Sequence, residues 1–278
     1  MPDTPQRQYD AALAQGIPYC GTHLGALQGS FRRHGYMRRL IQVECGRRPP
    51  GLFSMIEVGS WAGASALTWG LALQEFCQGI FRIVCIDPWE VWPTLAANPT
   101  PGGQVMREAL TTNQVKSLFD HNVRVTGLAD RIIPMMATSE QALPYFESES
   151  VDLIYLDGDH SYRHVSRDIQ LAIPLLKPHG ILCGDDLELQ GSEVDLAFAH
   201  AHQDEDYPTD PRTGRGFHPG VTLALHDIGS WKRTPCYEGF WVLWWTGTAL
   251  TSSPEWWTRE EQGQLSRPLP LPPHIHEV

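Results

Sequence analysis

The sequence predicts an α/β fold in which parallel strands alternate with helices. Short apolar runs that end in acidic residues predict the strands, for example Leu153–Leu156 before Asp157 and Ile181–Cys183 before Asp185. Such runs are typical of buried parallel strands, whose polar groups gather at the carboxyl ends. From Tyr162 to Leu176, apolar residues recur at three- and four-residue steps, which predicts an amphipathic helix between the two strands. Strand, helix and strand in this order indicate a parallel crossover unit.

The other elements follow from the same patterns along the chain. Residues 1 to about 25 are polar and are expected to form an extended arm that orders only in part. Ser30–Cys45 is predicted to be an amphipathic helix. We expect its four arginines, Arg33 among them, on a solvated face, with contact to an anionic ligand or partner as the alternative. The further predictions are strand Phe53–Gly59, a helix ending near Phe76, strand Arg82–Ile86, helix Val105–Phe119, strand Arg131–Met136, a helix capped by Ser139, helix Val194–Ala199, helix Val221–Ile228 and strand Gly239–Trp245.

The chain is long enough for one large α/β domain with appendages. We expect an N-terminal arm and helix over residues 1–50, where a lid or an oligomer contact would form. The main domain is expected over residues 51–250, with a lid-like insertion at about 187–220 that follows a strand end and is placed to cover an acceptor. Residues 251–278 are the proline-rich C-terminal tail, of which Arg267–Val278 is expected to be extended.

Composition narrows the class of partner. The formal net charge of −11 argues against nucleic acid and against an anionic membrane surface. No apolar run is long enough to cross a bilayer and the amino terminus has no apolar signal core, so we expect a cytoplasmic protein. The six cysteines include no CxxC pair, which favours reduced thiols. The arm and the tryptophans expected at the sheet edge favour a homo-oligomer.

Three acidic residues follow two predicted strands. Asp157 ends one strand, and Asp185 with Asp186 ends the next, one strand-helix-strand unit later. The tips of two such strands lie at the same edge of a sheet, so three carboxylates can converge. An all-oxygen set suits Mg²⁺, Mn²⁺ or Ca²⁺ rather than zinc. The alternative is that these residues are solvated loop acids and helix caps.

A glycine-rich turn follows the first predicted strand. Gly59 and Gly63 are separated by three residues, and Glu57 comes just before them. Such a turn lets a ligand approach the backbone at a helix N-terminus. The GxGxxG spacing of dinucleotide folds is not met, and no Gly-Lys-Ser/Thr follows for a P-loop. Asp87, at the tip of the second strand, is placed to bind ribose hydroxyls.

Together, E57-V-G-S-W-A-G63, Asp87, Asp157 and the Asp185-Asp186 pair resemble class I S-adenosylmethionine-dependent methyltransferases. More narrowly, they resemble the metal-dependent sugar O-methyltransferases of the macrocin, mycinamicin and aminocoumarin type. The resemblance spans Phe53 to Trp245. It implies a Rossmann-like, seven-stranded, mostly parallel sheet with helices on both faces and antiparallel last strands.

The resemblance also implies the site residues. The metal, Mg²⁺ or Mn²⁺, would be held by Asp157, Asp185 and Asp186. The catalytic candidates are Asp157, Asp159 and His160, with the general base open between the last two; His160 has the alternative of only hydrogen-bonding its loop. The residues expected to bind S-adenosylmethionine are Glu57, Gly59, Ser60, Trp61, Gly63, Ser65, Asp87, Pro88, Trp89, Ala137, Thr138, Ser139 and Asp157.

The expected activity is methyl transfer from S-adenosylmethionine to a hydroxyl of a small molecule, a sugar or natural-product acceptor, with Mg²⁺ assistance. Two alternatives stay open: a metal-independent small-molecule N- or phenol O-methyltransferase, and a non-catalytic protein that binds the cofactor. Trp89 and Trp92 are candidates for a wall that stacks on the acceptor, or for a cover of the hydrophobic edge. His200, His202 and Asp204 could form a second metal site, but we expect them to lie at a solvated helix end.

Overall fold

The computed structural model describes residues 4–27, 29–229 and 233–275. Its eight strands in that part of the chain form one sheet. The strands are β1 Phe53–Val58, β2 Phe81–Ile86, β3 Ile132–Met135, β4 Val151–Leu156, β5 Leu176–Leu187, β6 Cys236–Tyr237, β7 Gly239–Trp245 and β8 Leu250–Thr251. The α-helices are α1 Pro5–Gln15, α2 Arg33–Arg47, α3 Ala64–Phe76, α4 Pro93–Ala97, α5 Pro101–Thr111, α6 Gln114–Val125, α7 Ser139–Ala142, α8 Tyr162–Ala172, α9 Leu196–Ala201, α10 Pro219–Ile228 and α11 Arg259–Gln264.

The strand order is β3-β2-β1-β4-β5-β7-β6, with β8 beside β7. Strands β1 to β5 are parallel, and β7 is antiparallel to β5. This confirms the predicted Rossmann-like fold, including the antiparallel hairpin of β6 and β7 at its end. The order reverses at β1 and β4, so the loops after these strands open a crevice at the carboxyl edge of the sheet.

The sheet separates two apolar layers. All six residues of β4 are buried, as expected for a central parallel strand. On one face the sheet packs with α2, α3 and α6, where Trp69 is fully buried. On the other face it packs with α8 and α10, through Ile169 and Leu225 among others. A smaller third cluster, centred on Phe217, lies inside the insertion after β5.

Two predictions about the N-terminal half are wrong. The expected extended arm contains α1, which begins with Thr4 as its cap and ends at Gly16 in the left-handed region. The predicted helix over residues 105–119 is two helices, because Asn113 adopts φ +58° between α5 and α6. Residues 1–3 of the predicted arm lie outside the described residues.

The proline-rich tail packs along α2 over its described part. The Leu269 amide donates to the Gly35 carbonyl at 3.0 Å, and Arg39 Nε donates to the Arg267 carbonyl at 2.9 Å. His274 is buried against Thr68 of α3. Residues 276–278 of the predicted tail lie outside the described part of the chain.

Cys45 and Cys77 form a disulfide that links the ends of α2 and α3. The expectation of reduced thiols is therefore wrong for this pair, because helix packing brings together two cysteines that are 32 residues apart in sequence. Within the described residues, Cys20, Cys85, Cys183 and Cys236 are free. None of the described helices has both the length and the apolar character needed to cross a membrane.

Candidate active site at the carboxyl edge of the sheet

The glycine turn after β1 touches the loop after β4. Gly59 has φ +81°, and a Cβ added there would lie 1.9 Å from the Asp157 carbonyl oxygen. Gly63 has φ +89° and precedes α3. Glycine is therefore required at 59 both for its backbone conformation and for the close approach. The predicted cofactor turn and the predicted catalytic loop are in direct contact.

Asp87 organises this turn. Its Oδ2 accepts hydrogen bonds from the amides of Ser60 at 3.0 Å and Trp61 at 2.9 Å, and its Oδ1 accepts from the Trp89 amide at 2.6 Å. Burial raises the pKa of Asp87, while these amides favour its charged form. The predicted ribose role stays a prediction. What the structure adds is that Asp87 holds the turn in shape.

Glu57 is fully buried beneath the same turn. The Ser60 hydroxyl donates to Glu57 Oε2 at 2.7 Å, and the Cys85 thiol lies 3.3 Å from the same oxygen. Burial raises the pKa of Glu57 to about 7, with the Ser60, Ser65 and Cys85 hydrogen bonds acting in the opposite direction. The carboxyl group can thus exist in either protonation state near neutral pH.

The tryptophans near the turn serve the fold first. Trp61 and Trp89 adopt φ +45° and +48°, a region that non-glycine residues rarely occupy. The Trp89 indole donates to the Trp61 carbonyl at 2.8 Å and packs 5.1 Å from the Phe119 ring. The Trp61 indole donates to the Gly25 carbonyl at 2.8 Å and lies 6.2 Å from the Trp92 ring. Trp89 is 5% exposed, so for Trp89 the structure favours the hydrophobic cover over an acceptor wall.

The segment after β3 departs from the prediction in one detail. Thr138, not Ser139, caps α7, in a capping box with Gln141. The Ser139 hydroxyl instead donates to Asp168 of α8 at 2.5 Å. Burial raises the pKa of Asp168 to about 6. Ala137, Thr138 and Ser139 keep their predicted place after β3, and their contact with adenine stays a prediction.

The strand ends bring the three predicted acids together, and Arg33 joins them from α2. Its guanidinium is hydrogen-bonded to Asp185 Oδ2 and lies 3.4 Å from Asp157 Oδ2. The Tyr155 hydroxyl donates to the same Asp157 oxygen at 3.0 Å. Burial alone would lower the pKa of Arg33, but Asp185 and its neighbours hold it well above the ordinary value. The expectation of a solvated face is wrong for this arginine, which is 6% exposed.

Arg33 determines whether a metal ion can bind to the three carboxylates. A guanidinium at Asp185 and Asp157 already supplies positive charge where the three carboxylates were predicted to share Mg²⁺. In this arrangement the three side chains do not fit the predicted all-carboxylate site, because a cation there would contact Arg33 at close range. The metal role of Asp185 is a prediction that requires Arg33 to leave.

Asp186 faces away from Arg33, toward two histidines. Its backbone has φ +66°. His160 Nε2 lies 3.0 Å from Asp186 Oδ2, and His218 Nδ1 lies 3.7 Å from Oδ1. Burial would raise the pKa of Asp186, but the charges of His160 and His218 hold it well below the ordinary range. Burial would lower the pKa of His160, but Asp186, Asp157 and Asp206 raise it well above the ordinary value.

The two candidates for the general base have different surroundings. Asp159 accepts from the Ser161 amide at 2.9 Å and from the Thr94 hydroxyl at 3.1 Å, so it shapes the start of α8. His160 lies 3.8 Å from Asp157 Oδ1 and also faces Asp186. The structure brings His160, and not Asp159, into the acid cluster.

Sequence reasoning missed several residues at this edge: Arg33, Glu188, Asp206 and His218. His218 lies 4.6 Å from the His160 ring, and its Nδ1 is 3.0 Å from Glu188 Oε1. Glu188 comes two residues after Asp186, which was a usable signal. Arg33 and His218 lie far from the strand ends in sequence, so their spacing held no signal.

Residues 56–187 match the family model described as a methyltransferase domain. The match covers the glycine turn, Asp87 and the three strand-end acids.

No curated protein matches this chain in sequence. Among solved structures, the chain is similar in fold to the O-methyltransferase NovP, at 15% identity and a TM-score of 0.52, over 77% of this chain and 80% of that one. An O-methyltransferase from Bacillus cereus in complex with SAH matches at 15% identity and a TM-score of 0.45, over 87% and 89%. TomG from Streptomyces achromogenes, involved in tomaymycin synthesis and solved in complex with SAM, matches at 14% identity and a TM-score of 0.48, over 83% and 86%. At these identities the comparison with NovP shows the fold.

Proposed function

We propose that this protein transfers the methyl group of S-adenosylmethionine to a hydroxyl oxygen of a small molecule of the sugar or natural-product type. The observation that supports this most is the position of Asp157. Its carbonyl oxygen packs against Gly59 of the cofactor turn, and its carboxylate belongs to the acid and histidine cluster. A methyl donor bound at the turn would therefore meet an acceptor at the cluster. The description of NovP as an O-methyltransferase agrees with oxygen as the acceptor atom.

The chemistry would rest on positioning and on proton transfer. The turn would hold the sulfonium methyl in line with the acceptor oxygen. His160 would take the hydroxyl proton, because Asp157 and Asp186 stabilise the resulting imidazolium. Since its raised pKa keeps His160 protonated at neutral pH, we expect the rate to rise as the pH rises above neutral.

A polar cavity beside the cluster suits such an acceptor. Its volume is about 270 Å³, and Gly239 in its wall approaches Asp185, where an added Cβ would lie 3.1 Å from Oδ1. The charged residues lining it are Glu188, Glu193, Arg215, Arg233 and Glu238. Hydroxyl groups can donate to these carboxylates and accept from these guanidiniums, which supports a polyhydroxylated acceptor.

The ion pair of Arg33 with Asp185 bears on whether Mg²⁺ assists the reaction. The ion pair of Arg33 with Asp185 specifically favours the alternative of a metal-independent methyltransferase. An arginine already neutralises part of the cluster, and methyl transfer to a more acidic phenol, or to a nitrogen, needs no further cation. Both versions use the same cofactor turn.

Calorimetric titration of S-adenosylhomocysteine into metal-stripped protein tests the proposal, followed by transfer of labelled methyl to a panel of sugars, phenols and amines. We expect stoichiometric binding that Gly59→Ala abolishes, and labelled product from a hydroxylated acceptor. The wild type and Asp185→Ala would be compared with and without Mg²⁺. Binding without transfer to any acceptor would favour the non-catalytic alternative, and no binding would exclude the proposed activity.

A further inference from the structure

A second set of metal-ligating side chains lies on the opposite side of Asp186 from Arg33. It consists of His160, His218, Asp186, Glu188 and Asp206, which we call the histidine cluster. Together with Asp157, these residues form three overlapping triads, and the donor atoms of each triad lie within 4.8 Å of one another. The triads are His160 with Asp206 and His218, Asp157 with His160 and Asp186, and Asp186 with Glu188 and His218.

The two imidazoles are the centre of this cluster. His160 Nδ1 lies 3.3 Å from Asp206 Oδ1, and His218 Nε2 lies 3.8 Å from the same oxygen. On the other side, both rings face Asp186. Among the described residues, His160 Nε2 is shielded from solvent yet has no hydrogen bond of good geometry, although Asp186 Oδ2 is only 3.0 Å away. This nitrogen faces Asp157 and Asp186, whereas Nδ1 of the same ring faces Asp206.

The charge balance favours a cation in that space. Two imidazolium rings whose centroids lie 4.6 Å apart would repel each other. Neutral rings would remove the repulsion but leave the carboxylates facing one another. A divalent ion between the neutral imidazoles balances Asp206 and takes one nitrogen from each ring, while the other nitrogens face Asp186 and Glu188.

We propose that the histidine cluster binds one divalent transition-metal ion through His160 Nδ1, His218 Nε2 and Asp206, while Asp186 faces the opposite nitrogen of each ring. A mixed set of imidazole and carboxylate ligands selects Zn²⁺, Mn²⁺, Fe²⁺ or Co²⁺ over Mg²⁺, which takes oxygen ligands. Arg33 does not obstruct this site, because its guanidinium contacts Asp185 and the other oxygen of Asp157.

The ion would also join the insertion to the sheet. Asp206 and His218 belong to the insertion after β5, whereas His160 belongs to the loop after β4. The insertion already lies on the β4 loop, since a Cβ at Gly220 would meet the His160 carbonyl oxygen at 2.1 Å. Metal binding would therefore order the segment that borders the acceptor cavity. Only this consequence rests on the proposed function, in which His160 would be the base of the metal-free protein and a ligand once the ion is bound.

The test measures metal binding directly, in the full chain and without any assay of turnover. Metal-stripped protein is titrated with Co²⁺, followed by its visible absorption, and with Zn²⁺ and Mg²⁺ by calorimetry. We expect one equivalent of Co²⁺ with an absorption spectrum that indicates nitrogen ligands, and affinity for Zn²⁺ at least about 100-fold above that for Mg²⁺. His218→Gln should weaken Zn²⁺ binding by about 100-fold or more, since it removes a direct ligand.

Two variants serve as controls. His202→Gln removes an insertion histidine that pairs with Glu205, outside the cluster, and should leave Zn²⁺ affinity unchanged. Asp185→Asn should also leave it unchanged, whereas it would abolish binding at the all-carboxylate site. If His218→Gln does not fold, the Zn²⁺ affinity of His160→Gln and the Co²⁺ spectrum of the wild type test the proposed site instead.

Equal affinity for Mg²⁺ and Zn²⁺, a spectrum without nitrogen ligands, or loss of binding in Asp185→Asn but not in His218→Gln would overturn the proposed site. Retained binding of S-adenosylhomocysteine in the same samples would show that the proposed function stands independently of that result.

Discussion

Glu57 shows how one buried residue links the cofactor turn to the stability of the protein. It has no exposed surface, and its pKa is raised to about 7, from an ordinary value of 4.5. The folded state therefore binds more protons than the unfolded state between these two pH values. Stability must fall as the pH rises through this window, because the buried carboxylate becomes charged.

Glu57→Gln should remove this dependence. In the absence of cofactor, the wild type should lose about 3 kcal/mol of unfolding free energy between pH 4.5 and 8 through this group, since each pKa unit corresponds to about 1.4 kcal/mol. The difference between variant and wild type should change by that amount across the window. Urea unfolding at a series of pH values measures it, with the exposed Glu140→Gln as control. A difference that does not vary with pH would contradict the raised pKa.

At the scale of elements, α2 places a positive charge inside the site. Arg33 begins this helix, and Gly29 before it packs so closely that a Cβ would lie 3.1 Å from Asp185 Oδ2. The helix is held from the other side by the tail, through the hydrogen bond of Leu269 to Gly35. Helix α2 is thus a structural part of the candidate active site rather than an appendage.

Arg33→Ala should destabilise the protein by about 3 to 5 kcal/mol, because it leaves Asp185 and Asp157 buried without their cation. Added Mg²⁺ should restore part of this loss, and should stabilise the variant more than the wild type, because the three carboxylates are then free to bind it. Thermal unfolding with and without Mg²⁺ measures both effects.

The neighbouring Arg32→Ala is the matched control. Arg32 forms an exposed ion pair with Glu238, so its loss should cost less than about 1 kcal/mol. If Mg²⁺ stabilised the wild type and Arg33→Ala equally, Arg33 would not be what separates Asp185 from a metal.

At the scale of the whole molecule, the disulfide ties α2 to α3 of the central α/β fold. Cys45 lies near the end of α2, and Cys77 follows α3, the helix that begins at the glycine turn. The bond therefore restrains the two helices that carry Arg33 and the cofactor turn.

Reduction of this disulfide should lower the free energy of unfolding by about 3 to 4 kcal/mol, from the loop entropy of 32 residues. Thermal unfolding with and without a reducing agent measures the change, and Cys45→Ser should abolish the response. Cys236→Ser, at a free and half-buried thiol, is the control and should respond as the wild type does. No response in the wild type would mean that the pair is reduced.

Local patterns in the sequence predicted the fold and, within the candidate site, the strand-end acids and the glycine turn. Apolar runs and helical periodicity located β1, β2, β4, β5, β7 and α8, because buried strands and amphipathic helices impose their own periods. The strand-end acids and Gly59 were predicted for the same reason, since parallel strands deliver their polar ends to one edge. The break at Asn113 was missed, because a left-handed asparagine gives only a weak local signal.

Only the tertiary structure decided what faces those acids. Arg33 comes from a helix more than a hundred residues earlier in the chain, and His218 comes from the insertion. The sequence predicted that the three carboxylates converge but assigned all three to one cation. In the folded chain, Asp185 pairs with a guanidinium and Asp186 faces two imidazoles. These partners are close to the acids in space but far from them in sequence, so residue spacing could not predict them.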